Sequence, residues 1–369
     1  MDHEFNEPSA QVEQGKIKCS ACGGFLIYAP GTTELNCNYC GSKNEINIEK
    51  AQVEEIDFES FVSSHAEQEQ QVKTVKCNGC GASTVLAQHI TSDACSYCAT
   101  PLVISEASLD SKIKPKYLLP FKIDRKTAEG SFKKWVSTLW FAPGDLTYLA
   151  QHSSAKLNGV YMPYWTFDSS TTAQYHGMRG THYYVTETYT GSDGKTKSRQ
   201  VRRTAWTPCS GTVHNNFDDV LVCASRALPE TMTDELQPWD LSELVNYNDS
   251  FLSGFKTECY QIDVKEGFST AKKTMNNLIT TSIHRDIGGD EQRITSRTVT
   301  YFDSSFKHIL LPLWISAYKY RNKTFRFTIN ARTGEVNGER PYSFWKIFFF
   351  ILTILIVIAG VIYLSNRKT

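Results

Sequence analysis

The sequence predicts two small metal-stabilised β modules, then an antiparallel α+β domain, then a C-terminal transmembrane helix. Three observations predict it: cysteine pairs that recur at one spacing, alternating apolar patterns broken by turns through the middle of the chain, and an uncharged apolar run near its end. The chain's 369 residues suffice for two or three domains, and 41% hydrophobic residues supply the core.

Eight of the eleven cysteines form four Cys-x-x-Cys pairs: Cys19 with Cys22, Cys37 with Cys40, Cys77 with Cys80, and Cys95 with Cys98. In each set of four the two pairs enclose 14 residues, and the second set repeats the first 58 residues later. The flanks repeat too: Lys18-Cys19 with Lys76-Cys77, Cys22-Gly23 with Cys80-Gly81, Tyr39-Cys40 with Tyr97-Cys98. A Cys-x-x-Cys turn presents two thiolates to one metal, and a second turn brought alongside by a short hairpin supplies two more. Two tandem zinc ribbons are therefore expected, at 15–48 and 73–106, with 49–72 as linker. Four cysteines close the coordination sphere of each Zn²⁺, so both zincs are expected to be structural. A ribbon of about 30 residues draws its folding energy from the metal. Gly23, Gly41 and Gly81 follow the second cysteine of their pairs, where the turn calls for positive φ; Ala99 stands at the fourth such place. A redox dithiol or disulfides are the competing readings, and four matched pairs with no βαβ pattern beside them argue for metal. Sequential rather than interleaved ligand pairing is expected, because each copy holds a full set.

Between the modules, Glu54–Gln71 is rich in Glu and Gln, with Ile56, Phe58, Phe61 and Val62 as its apolar residues. It reads as a partly ordered spacer, with a short helix as the alternative. The α+β domain is expected over 116–342. A helix should follow Asp124 as N-cap and bury Phe132, Trp135, Val136, Leu139 and Trp140. Residues 160–190 and 197–206 alternate as strands of a long hairpin across Gly191-Ser192-Asp193-Gly194. A second helix should start after Ser269 and place Met275, Leu278, Ile279 and Ile283 on one side. Strands recur at 296–303, 308–321 and 323–330, with a turn at Arg332–Glu335. Runs of strands with segregated helices indicate an antiparallel α+β fold. An echo between Val160-x-x-Pro163-x-Trp165 and Ile309-x-x-Pro312-x-Trp314 is what a duplicated half-domain would leave. Ile347–Leu364 then runs 18 residues without a charge, about 27 Å of helix against a hydrocarbon core of about 30 Å. Trp345 and Tyr363 sit at its edges, where aromatic belts form, and the transmembrane helix is placed at 344–364.

Other candidates for chemistry read as structure. Cys209, Cys223 and Cys259 are expected as small buried hydrophobes, the alternative being a nucleophilic Cys209 served by His214. Gly191–Thr196 imitates the end of a phosphate-binding loop, but Tyr189 stands where that loop needs glycine. The run Lys195, Lys197, Arg199, Arg202, Arg203 reads as a solvated strand face, with anionic lipid or an acidic partner as the alternative. Asp286–Asp290 and Asp218-Asp219 read as loops held by Asx turns, with metal binding or acid chemistry as the alternative.

Net charge is zero, yet residues 1–114 carry 16 Asp/Glu against 8 Lys/Arg, a net −8, and the remainder is +8. An acidic N-terminal third is a poor match for nucleic acid. No apolar signal segment opens the chain, so the body is expected in the cytoplasm, where thiols stay reduced. Arg340 and Lys346 precede the apolar run and Arg367 and Lys368 follow it, so flanking charge does not set the orientation. The cysteine quartets and the missing export signal do, giving a single-pass protein of the cell membrane with a C-terminal anchor and a cytoplasmic body.

Beyond the two quartets, Phe141–Pro143, Gly159–Trp165, Phe217–Val222, Pro238–Leu241, Asp286–Ile294, Phe306–Pro312 and Thr333–Val336 form a set. On these residues nearly the whole chain resembles a family of bacterial membrane-associated proteins with TFIIB-type zinc ribbons, the YdjG-like proteins. Members are often labelled primosomal protein N′-like or replication-factor-Y-like helicases; this sequence has no nucleotide-binding loop for such an activity. The resemblance implies two partners, the membrane bilayer and a cytoplasmic protein that is SPFH-like or belongs to the PspA (phage-shock) envelope-stress system. The expectation is a non-enzymatic membrane-anchored adaptor that recruits that protein. Its rival is a membrane-tethered nucleic-acid-binding regulator using the ribbons. An enzyme in the α+β domain lacks a recognisable constellation, and no small-molecule substrate is indicated.

Overall fold

The computed structural model describes residues 17–48, 53–64, 69–85, 94–98, 100–102, 107–146, 148, 157–191, 194–321 and 323–366. The first cysteine module is a sheet of β1 (Leu26–Tyr28), β2 (Glu34–Cys37) and β3 (Lys43–Glu45). β4 (Ile56–Asp57) and α1 (Phe58–Ser64) follow. In the second module β5 (Glu69–Lys76) lies between β6 (Ser83–Val85) and β7 (Ser108–Ile113). The body comprises β8 (Tyr117–Leu118), α2 (Arg125–Thr138), β9 (Asn158–Thr190), β10 (Thr196–Cys223), α3 (Glu230–Asp234), β11 (Val245–Asn246), α4 (Asp249–Leu252), β12 (Lys256–Thr257), α5 (Val264–Ile287), β13 (Glu291–Tyr320), β14 (Lys323–Asn330) and β15 (Val336–Gly338). α6 (Phe344–Asn366) ends the described chain.

The body is mostly β. β9, β10 and β13 run for 33, 28 and 30 residues, where a strand ordinarily has about 5–6. They pair antiparallel in the order β10-β9-β13-β14-β15. The segments expected at 296–303 and 308–321 are thus one strand, kept continuous by bulges at Ile294/Ser296 and Phe302/Ser305. The hairpin expected to end at 206 continues to Cys223. A bulge absorbs the extra residue that would otherwise turn every later side chain to the wrong face.

The two long helices of the body, α2 and α5, each begin at an aspartate. Asp124 Oδ1 accepts from Thr127 N at 2.8 Å, as the sequence predicts for α2. α5 starts at Val264, not after Ser269, because Asp263 Oδ1 accepts from Glu266 N at 2.8 Å. Asp263-x-x-Glu266 has capping-box spacing, a start signal the apolar periodicity concealed. α5 buries Met275, Ile279 and Ile283 against the sheet, while Leu278 is half exposed. Gly267 brings the helix down onto the sheet, since a Cβ there would meet Trp165 at 2.9 Å.

The echo around Pro163 and Pro312 is a pseudo-two-fold. β9 and β13 sit at the centre of the sheet with Tyr161 opposite Pro312 and Pro163 opposite Leu310. On the outer edge of β9, Ala224 N donates to Pro163 O at 3.0 Å; on that of β13, Ala331 N donates to Pro312 O at 3.1 Å. Trp165 Nε1 donates to Ile262 O at 2.8 Å, just ahead of the Asp263 cap, and Trp314 Nε1 donates to Ile123 O at 3.1 Å, just ahead of the Asp124 cap. β12 runs parallel to β9 at Val160, as β8 runs parallel to β13 at Ile309. Each proline stands where its strand changes outer neighbour, from β12 to β10 or from β8 to β14. A missing N–H costs least at such a break in the ladder.

The cysteine modules are packed into this body. Cys19, Leu26, Tyr28, Leu35 and Cys37 share one core with Phe121, Phe132, Tyr161 and Phe251. Val75, Cys77, Ala82, Cys95 and Tyr97 share another with Leu119, Val160, Met162 and Leu311. The first module also bonds through Gly31 N to Phe121 O at 2.8 Å, and the second through Ser83 O to Cys259 N at 2.9 Å. Each therefore leans on the segment entering one of the two helices. Between them, Ile56, Phe58 and Phe61, expected in a partly ordered spacer, form β4 and α1 and pack on a third core around α5. Ring centroids of Phe58 and Phe268 are 4.3 Å apart, and those of Phe61 and Phe306 are 5.1 Å apart. Apolar side chains two to three residues apart outweigh the polar composition once a core lies beneath them.

Candidate metal centres

Each described cysteine turn closes the same way. Cys19 N donates to Gly24 O at 2.6 Å, Cys37 N to Ser42 O at 2.9 Å, Cys77 N to Ala82 O at 2.8 Å and Cys95 N to Thr100 O at 2.9 Å. Gly23, Gly41 and Gly81 have φ of 72°, 72° and 79°, the left-handed conformation expected of them. Ala99 lies outside the described residues.

The turns gather the eight thiols into two groups of four: Cys19, Cys22, Cys37 and Cys40, and Cys77, Cys80, Cys95 and Cys98. Within each group the sulfurs lie within 4.8 Å of one another. Cys22 and Cys37 are 3.5 Å apart, Cys19 and Cys40 3.7 Å, Cys77 and Cys98 3.5 Å, Cys80 and Cys95 3.5 Å. A disulfide needs about 2.05 Å. Four thiolates at about 2.3 Å from a tetrahedral metal stand about 3.8 Å apart, so both groups are dimensioned to hold a metal ion. The pairing is sequential.

Neighbouring groups favour the charged thiolate at some of these sulfurs, whereas burial pushes the Cys77 thiol up and the contact with Cys95 pushes that of Cys80 up. Gly24 N, Gly79 N and Tyr97 N point at Cys22, Cys77 and Cys95 Sγ, each at 3.4 Å. Ser42 Oγ is 2.9 Å from Cys19 Sγ and 3.2 Å from Cys40 Sγ; this hydroxyl lowers both thiols, Cys19 to about 6. Thr100, at the equivalent place in the second module, is 3.1 Å from Cys98 Sγ. The first group is the more open, with Cys22 and Cys40 exposed and Tyr39 at 77% exposure. Tyr97, its counterpart in the second module, is buried and bonds through its hydroxyl to buried Glu258.

The other three cysteines behave differently. Burial pushes the Cys223 thiol up to about 12 and that of Cys259 to about 11, which suppresses the nucleophilic thiolate. Cys209 and His214 are five residues apart on β10 and so face opposite sides of the sheet. His214 Nδ1 is 3.0 Å from Thr172 Oγ1 instead.

Asp218 and Asp219 do more than close a loop. Bulges at Phe217/Val220 and Phe302/Ser305 fold two aspartates, Asp219 and Asp303, into positive φ. Lys307, 4% exposed, places Nζ 2.7 Å from Asp219 Oδ1, 3.0 Å from Glu55 Oε1 and 3.5 Å from Asp168 Oδ2. Carboxylates of Glu55, Asp168 and Asp218 converge within 4.8 Å. Burial and the neighbouring Glu55 push the Asp168 carboxyl up, and the cation that answers the cluster is Lys307 itself. No sequence signal joins these residues, which lie on β9, β10, β13 and the segment before β4. Asp286 accepts from Tyr175 OH at 2.6 Å, and Asp290 from His182 N at 2.7 Å, so this loop ties α5 to β9. Gly191 N donates to Lys195 O at 2.9 Å where the hairpin of β9 and β10 turns, and Ser192 and Asp193 lie outside the described residues.

The chain is 25% identical over 337 residues to the Bacillus subtilis (strain 168) protein called Uncharacterized protein YdjG, a match covering 89% of this chain and 91% of that one. No family model matches the chain, and no solved structure matches it.

Proposed function

We propose that this protein is a membrane-anchored zinc-ribbon adaptor that presents a basic β-arm to an acidic cytoplasmic protein. In this reading each cysteine group holds one structural zinc, α6 spans the bilayer, and the body stays in the cytoplasm. The length and apolarity of α6 support the anchor, as it is long and apolar enough to cross a membrane. The zinc assignment rests on four thiolates per site and the absence of any place for water among them.

The observation that carries the adaptor reading is the arm. β13 stops pairing with β9 at Gly180, so beyond it β9 and β10 continue as a two-stranded ribbon from Thr181 to Ala205. Ten residue pairs make it about 33 Å long. A free two-stranded ribbon is marginal on its own, and this one exposes Lys195, Lys197, Arg199, Arg202 and Arg203 with Tyr184 and Tyr189. Glu187 pairs with Arg199 and Arg203, and residues 181–205 carry five Lys/Arg against two Asp/Glu, a basic surplus. The arm stands at the opposite end of β9 from the strands that carry α2 and α6, which favours a protein over the anchoring bilayer as its partner. Resemblance suggests an SPFH-like or PspA-system protein.

The test is affinity capture by the intact, membrane-extracted protein and by its Arg199→Glu/Arg202→Glu/Arg203→Glu variant. The captured protein should be acidic, should elute with salt, and should be lost from the variant. Equal capture by both would sink the reading. The arm's positive charge also favours the nucleic-acid rival, which predicts salt-sensitive oligonucleotide binding far tighter than the non-specific level of roughly 10⁻⁴–10⁻⁶ M.

A further inference from the structure

The sequence pattern assigns Trp140 to the buried stripe of α2. Phe132, Val136 and Leu139 are indeed buried, but Trp140 is 72% exposed. α2 ends at Thr138, and the chain turns outward through Trp140 and Phe141 toward the start of α6. Three bonds fix that meeting: Ser343 N donates to Phe141 O at 2.8 Å, and Lys346 Nζ donates to Trp140 O at 3.1 Å and Ala142 O at 2.8 Å. The rings continue it. Phe350 lies 5.9 Å from Trp140 and 5.2 Å from Phe141, both edge-on.

These contacts set a depth. The apolar run of α6 begins at Ile347, so Phe350 sits about 4.5 Å inside it. Rings packed on Phe350 lie beside the start of the apolar run, although they belong to the body. Tyr342, Phe344 and Trp345 are exposed around the same point at 59%, 72% and 65%. We infer that Trp140 and Phe141 form a second, monotopic membrane contact, seating the body in the interfacial layer of the bilayer beside α6. Indole and phenyl rings partition into that layer, the indole N–H staying at the wet side. Lys346 bonds the two carbonyls and holds the wedge rigidly to the helix, so the body stands at a set angle to the membrane instead of swinging on a tether.

The inference rests on the anchored reading of α6, and the experiment separates the two. Full-length protein is reconstituted in phosphatidylcholine vesicles with and without phosphatidylcholine brominated at carbons 6 and 7, which quenches tryptophan at shallow depth. Trp140→Phe leaves Trp345 as the reporter of the anchor; Trp345→Phe leaves Trp140 as the reporter of the wedge; the double variant sets the baseline. Both single variants should lose a larger share of emission to brominated lipid than the double variant does. If Trp140→Phe is quenched while Trp345→Phe matches the baseline, the wedge is wrong and the anchor stands. If neither exceeds the baseline, both fall. Unchanged far-ultraviolet dichroism shows that the variants remain folded.

Discussion

At the scale of single residues, what distinguishes chemistry from packing here is company. Cys19 and Cys40 sit beside the Ser42 hydroxyl, which favours thiolate, while burial at Cys223 and Cys259 disfavours it. His308 is the clearest buried titratable group outside those sites. It is 5% exposed, donates from Nδ1 to Ile113 O at 2.9 Å, lies 4.6 Å from the Trp165 ring, and is pushed down to about 4 by burial. An unfolded histidine titrates near 6.5. Above that pH neither state binds the proton, so His308 adds no pH dependence. Between about 6.5 and 4 the unfolded chain binds a proton that the folded one refuses, so stability falls as pH falls, by at most about 3 kcal/mol. The His308→Gln variant keeps a donor and cannot titrate. Its melting temperature should therefore lose less than that of the unaltered protein between pH 6.5 and 4. Metal loss at low pH affects both alike, so parallel curves would refute the assignment.

At the scale of elements, each cysteine module owns its ligands but shares its core. Cys37→Ser should lower the bound metal from two equivalents to one, because no sulfur of the second group helps the first. The same substitution should destabilise the body by at least about 3 kcal/mol, a size typical of losing a structural metal, since Cys37, Leu35 and Tyr28 pack with Phe121 and Tyr161. Metal analysis with thermal unfolding of the full chain checks both parts. Loss of both metals would mean that the sites depend on one another. The paired helices show how much a repeat can hide: α2 and α5 begin with the same aspartate cap and the same tryptophan bond, yet run 14 and 24 residues. α5 lies along the long strands and keeps burying side chains as far as Ile287. α2 stops at Thr138, with the buried Leu139 as its C-cap.

At the scale of the whole molecule, two halves share one central strand pair, with a module seated on each. Beyond the body, the sheet reaches out as the arm at one end and meets α6 near the other. Removing residues 344–369 should convert the protein from a form that resists alkaline carbonate extraction to one recovered in the soluble fraction. Protease added to intact spheroplasts should spare the cysteine modules. Digestion of the modules from outside would invert the topology and remove the basis of the adaptor reading.

The local signals in the sequence determined what local chemistry determines. Cysteine spacing named all eight thiols and their grouping, glycines marked three positive-φ turns, Asp124 marked a helix start, and an uncharged run marked α6, because each depends on neighbours within a few residues. Tertiary structure decided whatever depends on a surface supplied from far away. The acidic stretch around Phe58 became a packed helix because Phe268 and Phe306 lie beneath it. Separate strand segments fused because bulges restored their register. Lys307 drew together carboxylates from three other parts of the chain, and Trp140, at core spacing in the sequence, was left facing outward because α2 ends before it. Apolar periodicity says which side chains leave water; it does not say whether protein or lipid receives them.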